Sequence, residues 1–261
     1  MDVEKIKAAL QGLIRRHRTV FERLSGRETQ LLEIGALVLA AEHYKSHGYV
    51  VRMDNLQANR FRVKLGSRGK PFNFSWYAVS RGEEKFEIHS NLPVVGAHND
   101  GGIYVVDVAV VKAGGLPPPT KRELRRDWKA MENDVLVTFI EVKKLVVYPM
   151  LLAQFYGIVH EIKPAFVETQ AADNADHFYP ALVSIGYLSA TSVQIRDGYK
   201  KRGFRLNVIP TFDDYISRIA AHPNEPSPFL PGRPCATQKQ HFETVMPPSQ
   251  LPCPAALPSS N

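Results

Sequence analysis

The sequence predicts an α/β protein: a central mixed β-sheet flanked by helices, ending in a Pro-rich tail. Three observations carry this. An apolar helical pattern comes first, through 28–48. Closely spaced runs of β-branched and aromatic residues, broken by turn residues, fill 49–112. From 135 onward strand-like and helix-like segments alternate.

The elements follow in order. Residues 1–27 read as a basic helix carrying Arg15, Arg16, Arg18 and Arg23. In "ETQLLEIGALVLAAEHYKSHGY", Leu31, Leu32, Ile34, Leu37, Val38 and Ala41 recur at helical spacing, and Gly48 is a stop. "YVVRM" (49–53), "FRVKLG" (61–66), "FNFSWYAVS" (72–80), "KFEIHSNLPVV" (85–95) and "IYVVDVAVVK" (103–112) read as a strand meander. "GAHNDGG" supplies a turn. After "AGGLPPPT", Thr120 and Glu123 form a capping box for a short helix within about 120–133. "VLVTFIEVK" is the next strand. Pro149 suits a first helical turn, and "MLLAQFYGIVHEI" continues it. "YPALVSIGYLS" (179–189) and "FRLNVI" (204–209) read as strands around a helix capped at Thr191. The domain therefore spans 28–222. Residues 223–261, rich in Pro, Ser and Gln, are expected to be disordered.

Composition narrows the class. The chain has 261 residues, of which 44% are hydrophobic, and a net charge of +7. Its sequence pI of about 9.4 makes a polyanionic partner worth testing. No apolar run reaches the ~18 residues of a membrane span, and the first residues lack a signal-peptide core. Cys235 and Cys253 both fall in the Pro-rich tail, which excludes a thiolate cluster in the body. Those features predict a cytoplasmic protein with no membrane partner. Apart from His43 and His47 on the first apolar helix pattern, the nine histidines show no His-x-x-x-His spacing, and no zinc site is expected. No G-x-S-x-G or P-loop pattern is present; "VKLGSRGK" has bases and glycines without the P-loop spacing.

The strand at 135–143 ends in Glu141-Val142-Lys143. Side chains at i and i+2 share a strand face, so carboxylate and ammonium point the same way. Burying two charges is costly unless they pair or hold an ion. On an exposed edge the same pair would be an ordinary salt bridge worth ~0–1 kcal/mol. Asp107 interrupts a second apolar strand. If the two strands are neighbours, Asp107 and Glu141 converge, and both stay ionised readily only with a cation between them. Oxygen ligands of this kind suit Mg²⁺ or Mn²⁺. Lys143 would orient or deprotonate an attacking water, or stabilise charge on phosphorus.

Asp107 followed by Glu141-x-Lys143, with an acid in a preceding helix, resembles the PD-(D/E)xK nuclease superfamily over about residues 28–210. The resemblance implies a restriction-endonuclease-like core and a Mg²⁺- or Mn²⁺-dependent phosphodiesterase, an endonuclease ahead of an exonuclease. It maps Asp107 and Glu141 to the metal acids and Lys143 to the lysine. It assigns Glu33 to the helix acid, with Glu42 as rival, and Gln154 to the glutamine of the following helix. Val106 stands where the family pattern has proline.

Glu87, His89 and Asn91 share a strand face by period two and could line the same cleft; an exposed sheet face explains them equally. In the turn, Asp100 competes with Asp107 for the metal. Lys121, Arg122, Arg125, Arg126 and Lys129 form a basic cluster beside Trp128, suited to a phosphate backbone. Its Arg122, Arg125 and Lys129 would share one helical face. The partner expected is nucleic acid, DNA ahead of RNA, with a homo-oligomer and a regulatory partner both open. A non-catalytic nucleic-acid-binding or assembly module on the same fold is the alternative.

Overall fold

A computed structural model describes residues 28–98, 101–117, 126–168, 177–221 and 228–229, together with Ala8 and Gln11. The basic segment 1–27, those two residues apart, lies outside the described residues, as does the tail from 230 onward.

Helix α1, Glu28–Ser46, is apolar almost all round, and Leu31, Leu32, Ile34, Ala36 to Ala41 and Tyr44 are buried. It packs under the sheet against β1 (Val50–Asp54), β3 (Glu84–Val95), β4 (Ile103–Lys112) and β5 (Leu136–Lys143). The sheet has seven strands in sequence order, completed by β2 (Trp76–Arg81), β6 (Ala181–Ser184) and β7 (Asn207–Ile209). β1 to β5 run antiparallel as a meander, while β5, β6 and β7 are parallel. The parallel pairs are joined through helices, as parallel connections require. These are α2 (Pro149–Ile162), α3 (Ala165–Glu168) and α4 (Ala190–Lys201); α5 (Phe212–Ala221) closes the order. The architecture is a seven-stranded mixed sheet with flanking helices, of α/β class. One apolar core lies between α1, α5 and one sheet face. The other lies between the opposite face and α2, α3 and α4.

β4 and β5 match the sequence expectation because Val and Ile dominate both. Pro149 opens α2, with Tyr148 as its N-cap. Several expectations are corrected. Residues 61–66 form no regular strand. Phe61, Val63 and Leu65 alternate as a strand would, but Asn55, Ala58 and Asn59 turn the chain with φ of 49°, 48° and 58°. Side-chain bonds then hold the segment: the Lys64 amide donates to Ser90 Oγ at 3.2 Å. Pro71–Asn73 is a 3-10 turn, so β2 starts only at Trp76. Ser189, not Thr191, caps α4, its Oγ accepting from the Ser192 amide at 3.2 Å. The 179–189 and 204–209 strands shrink to β6 and β7.

Thr120 and Glu123 lie outside the described residues. Of the insert, 126 and 127 are helical, but Lys129 stands in irregular backbone, so no helical face continues to it. The chain there turns to run beside β3: the Met131 amide donates to Pro93 O, and the Val95 amide donates to Met131 O, both at 2.9 Å. Finally, the fold reaches past 222. Phe229 is fully buried, its ring 4.9 Å from Phe178 and 6.5 Å from His43. Composition had assigned it to the tail.

Candidate active site

Asn91, Asp107 and Glu141 occupy one row across the sheet. Ser90 pairs with Val108 and Leu92 with Val106, which leaves Asn91 and Asp107 opposite each other but unpaired. Asn91 has φ of 50°, a left-handed conformation that asparagine tolerates better than most residues. On the other side, the β4–β5 ladder ends at Val108–Ile140, one step short of Asp107 and Glu141. There the Asp107 carboxylate takes over from the backbone: its Oδ2 accepts from the Val142 amide at 2.7 Å. The break also shifts the alternation. Val108 packs with α1, whereas Val106, two residues away, packs in the opposite core. Ile88 and Leu92 of β3 are split in the same way.

Four of the five residues assigned to catalysis from the sequence meet at this row. Lys143 Nζ donates to Glu141 Oε1. Glu33 of α1 accepts from Asn91 Nδ2 at 2.9 Å. Glu33, Asp107 and Lys143 all lie close enough to act electrostatically on one another, and Glu141 feels all three. Burial raises Glu33, Asp107 and Glu141 above the usual carboxylate range. Glu141 is pushed up to about 7, by burial first and then by Asp107, against the opposing pull of Lys143. Burial alone would lower Lys143, but Glu141, Asp107 and Glu33 together outweigh it and hold the group as an ammonium.

Three carboxylates beside one lysine would leave an excess of negative charge if all were ionised, which a cation would offset. The bonds described above engage Glu33 Oε2, Asp107 Oδ2 and Glu141 Oε1, one oxygen of each carboxylate, so the second oxygen of each is open to a cation. The carboxylates do not form a cage with three oxygens mutually within 4.8 Å. Mg²⁺ needs no such cage, because one or two carboxylates, water and substrate oxygens complete its shell. The donor set at Asp107 and Glu141 fits such an ion.

The remaining candidates are placed as follows. Gln154 lies on the exposed side of α2 with no hydrogen bond to the cluster. Glu42 pairs with Lys45 at 3.9 Å and lies about two and a half helical turns beyond Glu33, on the other side of α1. Asn99 and Asp100 lie outside the described residues, as do Lys121, Arg122 and Arg125. Arg126 is exposed and paired with Asp127 at 3.3 Å, and Lys129 is exposed. Glu87 and His89 pair with each other at 2.9 Å, with His89 stacked on Trp76. The left-handed turn at Asn91 breaks the expected period-two face and sends that residue to Glu33 instead.

Two groups were not found from the sequence. Lys64 is buried, and its ammonium donates to the carbonyls of Gly66 at 2.6 Å, Ser67 at 3.2 Å and Asn91. Asn91 returns a bond to Lys64 O at 3.0 Å. Lys64 thus sets Asn91, which sets Glu33. Nothing local in "FRVKLG" distinguishes this lysine from a solvated one. The second group is basic: Arg62, Arg68 and Lys70 stand on the same loop, whose end meets the insert. Lys70 Nζ donates to Arg126 O, and the Phe72 and Trp128 rings lie 6.0 Å apart. Grooves of about 380 and 610 Å³ run along this loop, lined in part by Arg62, Arg68 and Phe74, and neither includes the acids.

No family model, curated protein or solved structure matches this chain.

The raised carboxylates make stability depend on pH. Folded Glu141 keeps its proton between about 4.5 and 7, where the unfolded chain has lost it. The stabilising contribution is therefore present at pH 4.5 and lost as pH rises through 7. EDTA-treated protein should lose up to ~3 kcal/mol from this group between pH 5 and 8. Urea denaturation of Glu141→Gln should show a flatter profile. A wild-type profile no steeper than that of the variant would contradict the burial of this charge.

Proposed function

We propose that the chain is a metal-dependent nuclease of the PD-(D/E)xK type that hydrolyses phosphodiester bonds of nucleic acid. The observation that carries the reading is the convergence of Glu33, Asp107, Glu141 and Lys143 where the β3–β4–β5 ladders break. Two readings from the sequence bear on the same point: an acid in the helix before the sheet, and an acid on each of two neighbouring strands.

Asp107 and Glu141 would hold Mg²⁺ or Mn²⁺, which supplies Lewis acidity to a phosphodiester oxygen. The Asp107 side chain is oriented by the Val142 amide. The Glu33–Asn91–Lys64 chain fixes the third carboxylate beside them. Lys143, on the same face as Glu141, places a positive charge where negative charge develops on the phosphate oxygens. It also offers donors to position water. The basic residues Arg62, Arg68, Lys70, Arg126 and Lys129 supply phosphate contacts that position the polymer without reading bases. DNA is favoured over RNA and internal over terminal cutting, in a cytoplasmic setting.

The test is cleavage of plasmid and of single- and double-stranded oligonucleotides with Mg²⁺, Mn²⁺ or EDTA. Cutting should require metal and disappear in Glu141→Ala. Folded protein that binds nucleic acid in EDTA and never cuts with either metal would replace this reading with a non-catalytic binding module.

A further inference from the structure

We infer that the chain carries a second, separate metal site for Zn²⁺, built from His98, His160 and Glu161. This site does not depend on the nuclease reading. His98 follows β3, and His160 and Glu161 end α2, so 62 residues separate the two imidazoles. The three residues each offer one ligand atom, and these atoms lie within 4.8 Å of one another.

The arrangement around them is that of prepared ligands. His98 Nε2 donates to the His160 carbonyl at 3.1 Å. His160 Nε2 stands 2.9 Å from Glu168 Oε1, as a donor to that carboxylate. In its neutral form each ring therefore has one nitrogen committed to an oxygen acceptor and Nδ1 open to a metal. A carboxylate or carbonyl on the far nitrogen is what orients metal-bound histidines and raises their basicity. His160 Nδ1 faces Glu161 Oε1 at 3.8 Å, while Glu161 Oε2 accepts from Tyr104 OH at 3.1 Å. The carboxylate is thus tied from β4 and the imidazole from α3. The Ala97 amide also donates to Glu161 O at 2.8 Å, so the backbone beside His98 is already joined to the end of α2. The rings of His98 and His160 lie 5.0 Å apart and nearly parallel.

Tetrahedral zinc with bonds of about 2.0–2.2 Å needs ligand atoms roughly 3.4 Å apart. The ligand atoms, spread over up to 4.8 Å, must draw closer, and the exposed His98 side chain is the one with room to turn. Two imidazoles and one carboxylate select Zn²⁺ over Mg²⁺, since nitrogen ligands suit borderline ions and Mg²⁺ prefers oxygen. Three protein ligands leave one position open. The bound ion would clasp the turn between β3 and β4 to the ends of α2 and α3. Lys163, the nearest lysine in sequence, donates to Asn133 O at 2.9 Å.

Full-length Asp107→Asn protein, chosen to disable the acid cluster, is stripped with EDTA, dialysed and titrated with Zn²⁺ by calorimetry. Co²⁺ binding is followed by visible absorption. One Zn²⁺ per chain is expected, with affinity lowered at least about tenfold in His98→Ala and in His160→Ala. Glu168→Gln should weaken binding in the same direction. All three positions are at least partly exposed, and circular dichroism confirms that each variant is folded. No stoichiometric binding overturns the site. So does binding that both histidine variants leave unchanged.

Discussion

Lys143→Ala is expected to lower metal-dependent phosphodiester cleavage by about 10²–10⁴-fold, the range for a group acting directly on a developing charge. Its effect on binding should be opposite in sign. Lys143 donates to Glu141, a carboxylate proposed to hold the metal. Removing the ammonium removes a competing cation, so Mg²⁺ or Mn²⁺ should bind Lys143→Ala as tightly as wild type or more so. Glu141→Ala should lose both metal binding and cleavage. Lys143 ends β5 with a third of its side chain exposed, so the fold should survive its truncation. Cleavage by Lys143→Ala at the wild-type rate would remove the proposed mechanism. Loss of cleavage together with loss of metal binding would make Lys143 a structural partner of Glu141 instead.

Lys64→Met should cost about 3 kcal/mol of folding stability. The substitution keeps the apolar stem and removes the ammonium, leaving the carbonyls of Gly66, Ser67 and Asn91 short of donors. Unmet buried acceptors cost ~1–3 kcal/mol each, and removal of a buried charge returns part of that. Burial pushes the Lys64 ammonium down to about 8, so it is mostly charged at neutral pH. Lys85→Met, at an exposed position on β3, is the control and should change stability by less than about 0.5 kcal/mol. Urea midpoints at pH 7 distinguish them. Equal midpoints would mean that the 61–66 segment is held by its apolar side chains alone.

Much of the arrangement was legible because it is written in residue type at short range. β4 and β5 announce themselves by β-branched runs. An acid inside each is conspicuous where burial of charge is costly. Glu33 could be proposed only through the resemblance, since a helix acid by itself has no signature. Other features depend on contacts between distant segments. Lys64 reads as one more surface lysine until its carbonyl partners come from residues 66, 67 and 91. Residues 61–66 carry a strand's alternation, yet their bonds go to side chains. His98 and His160 cannot be paired from spacing, because only the turn after β3 and the end of α2 bring them together. The insert gave its charge but not its path: Met131 runs beside β3, a placement that the helical pattern of the preceding residues does not encode.

The unpaired row at Asn91 and Asp107 has a mechanical consequence as well. In a regular strand, sliding by two residues keeps every side chain on its own face, so register rests on side-chain shape and on the connecting turn. Here the assignment of alternate residues of β3 and β4 to one core or the other reverses at the row. A two-residue slip would carry residues across the reversal and drive core valines toward the wrong side. The discontinuity pins the two strands much as a defect pins planes in a crystal. The irregularity that gathers the charged residues therefore also specifies how the sheet is aligned.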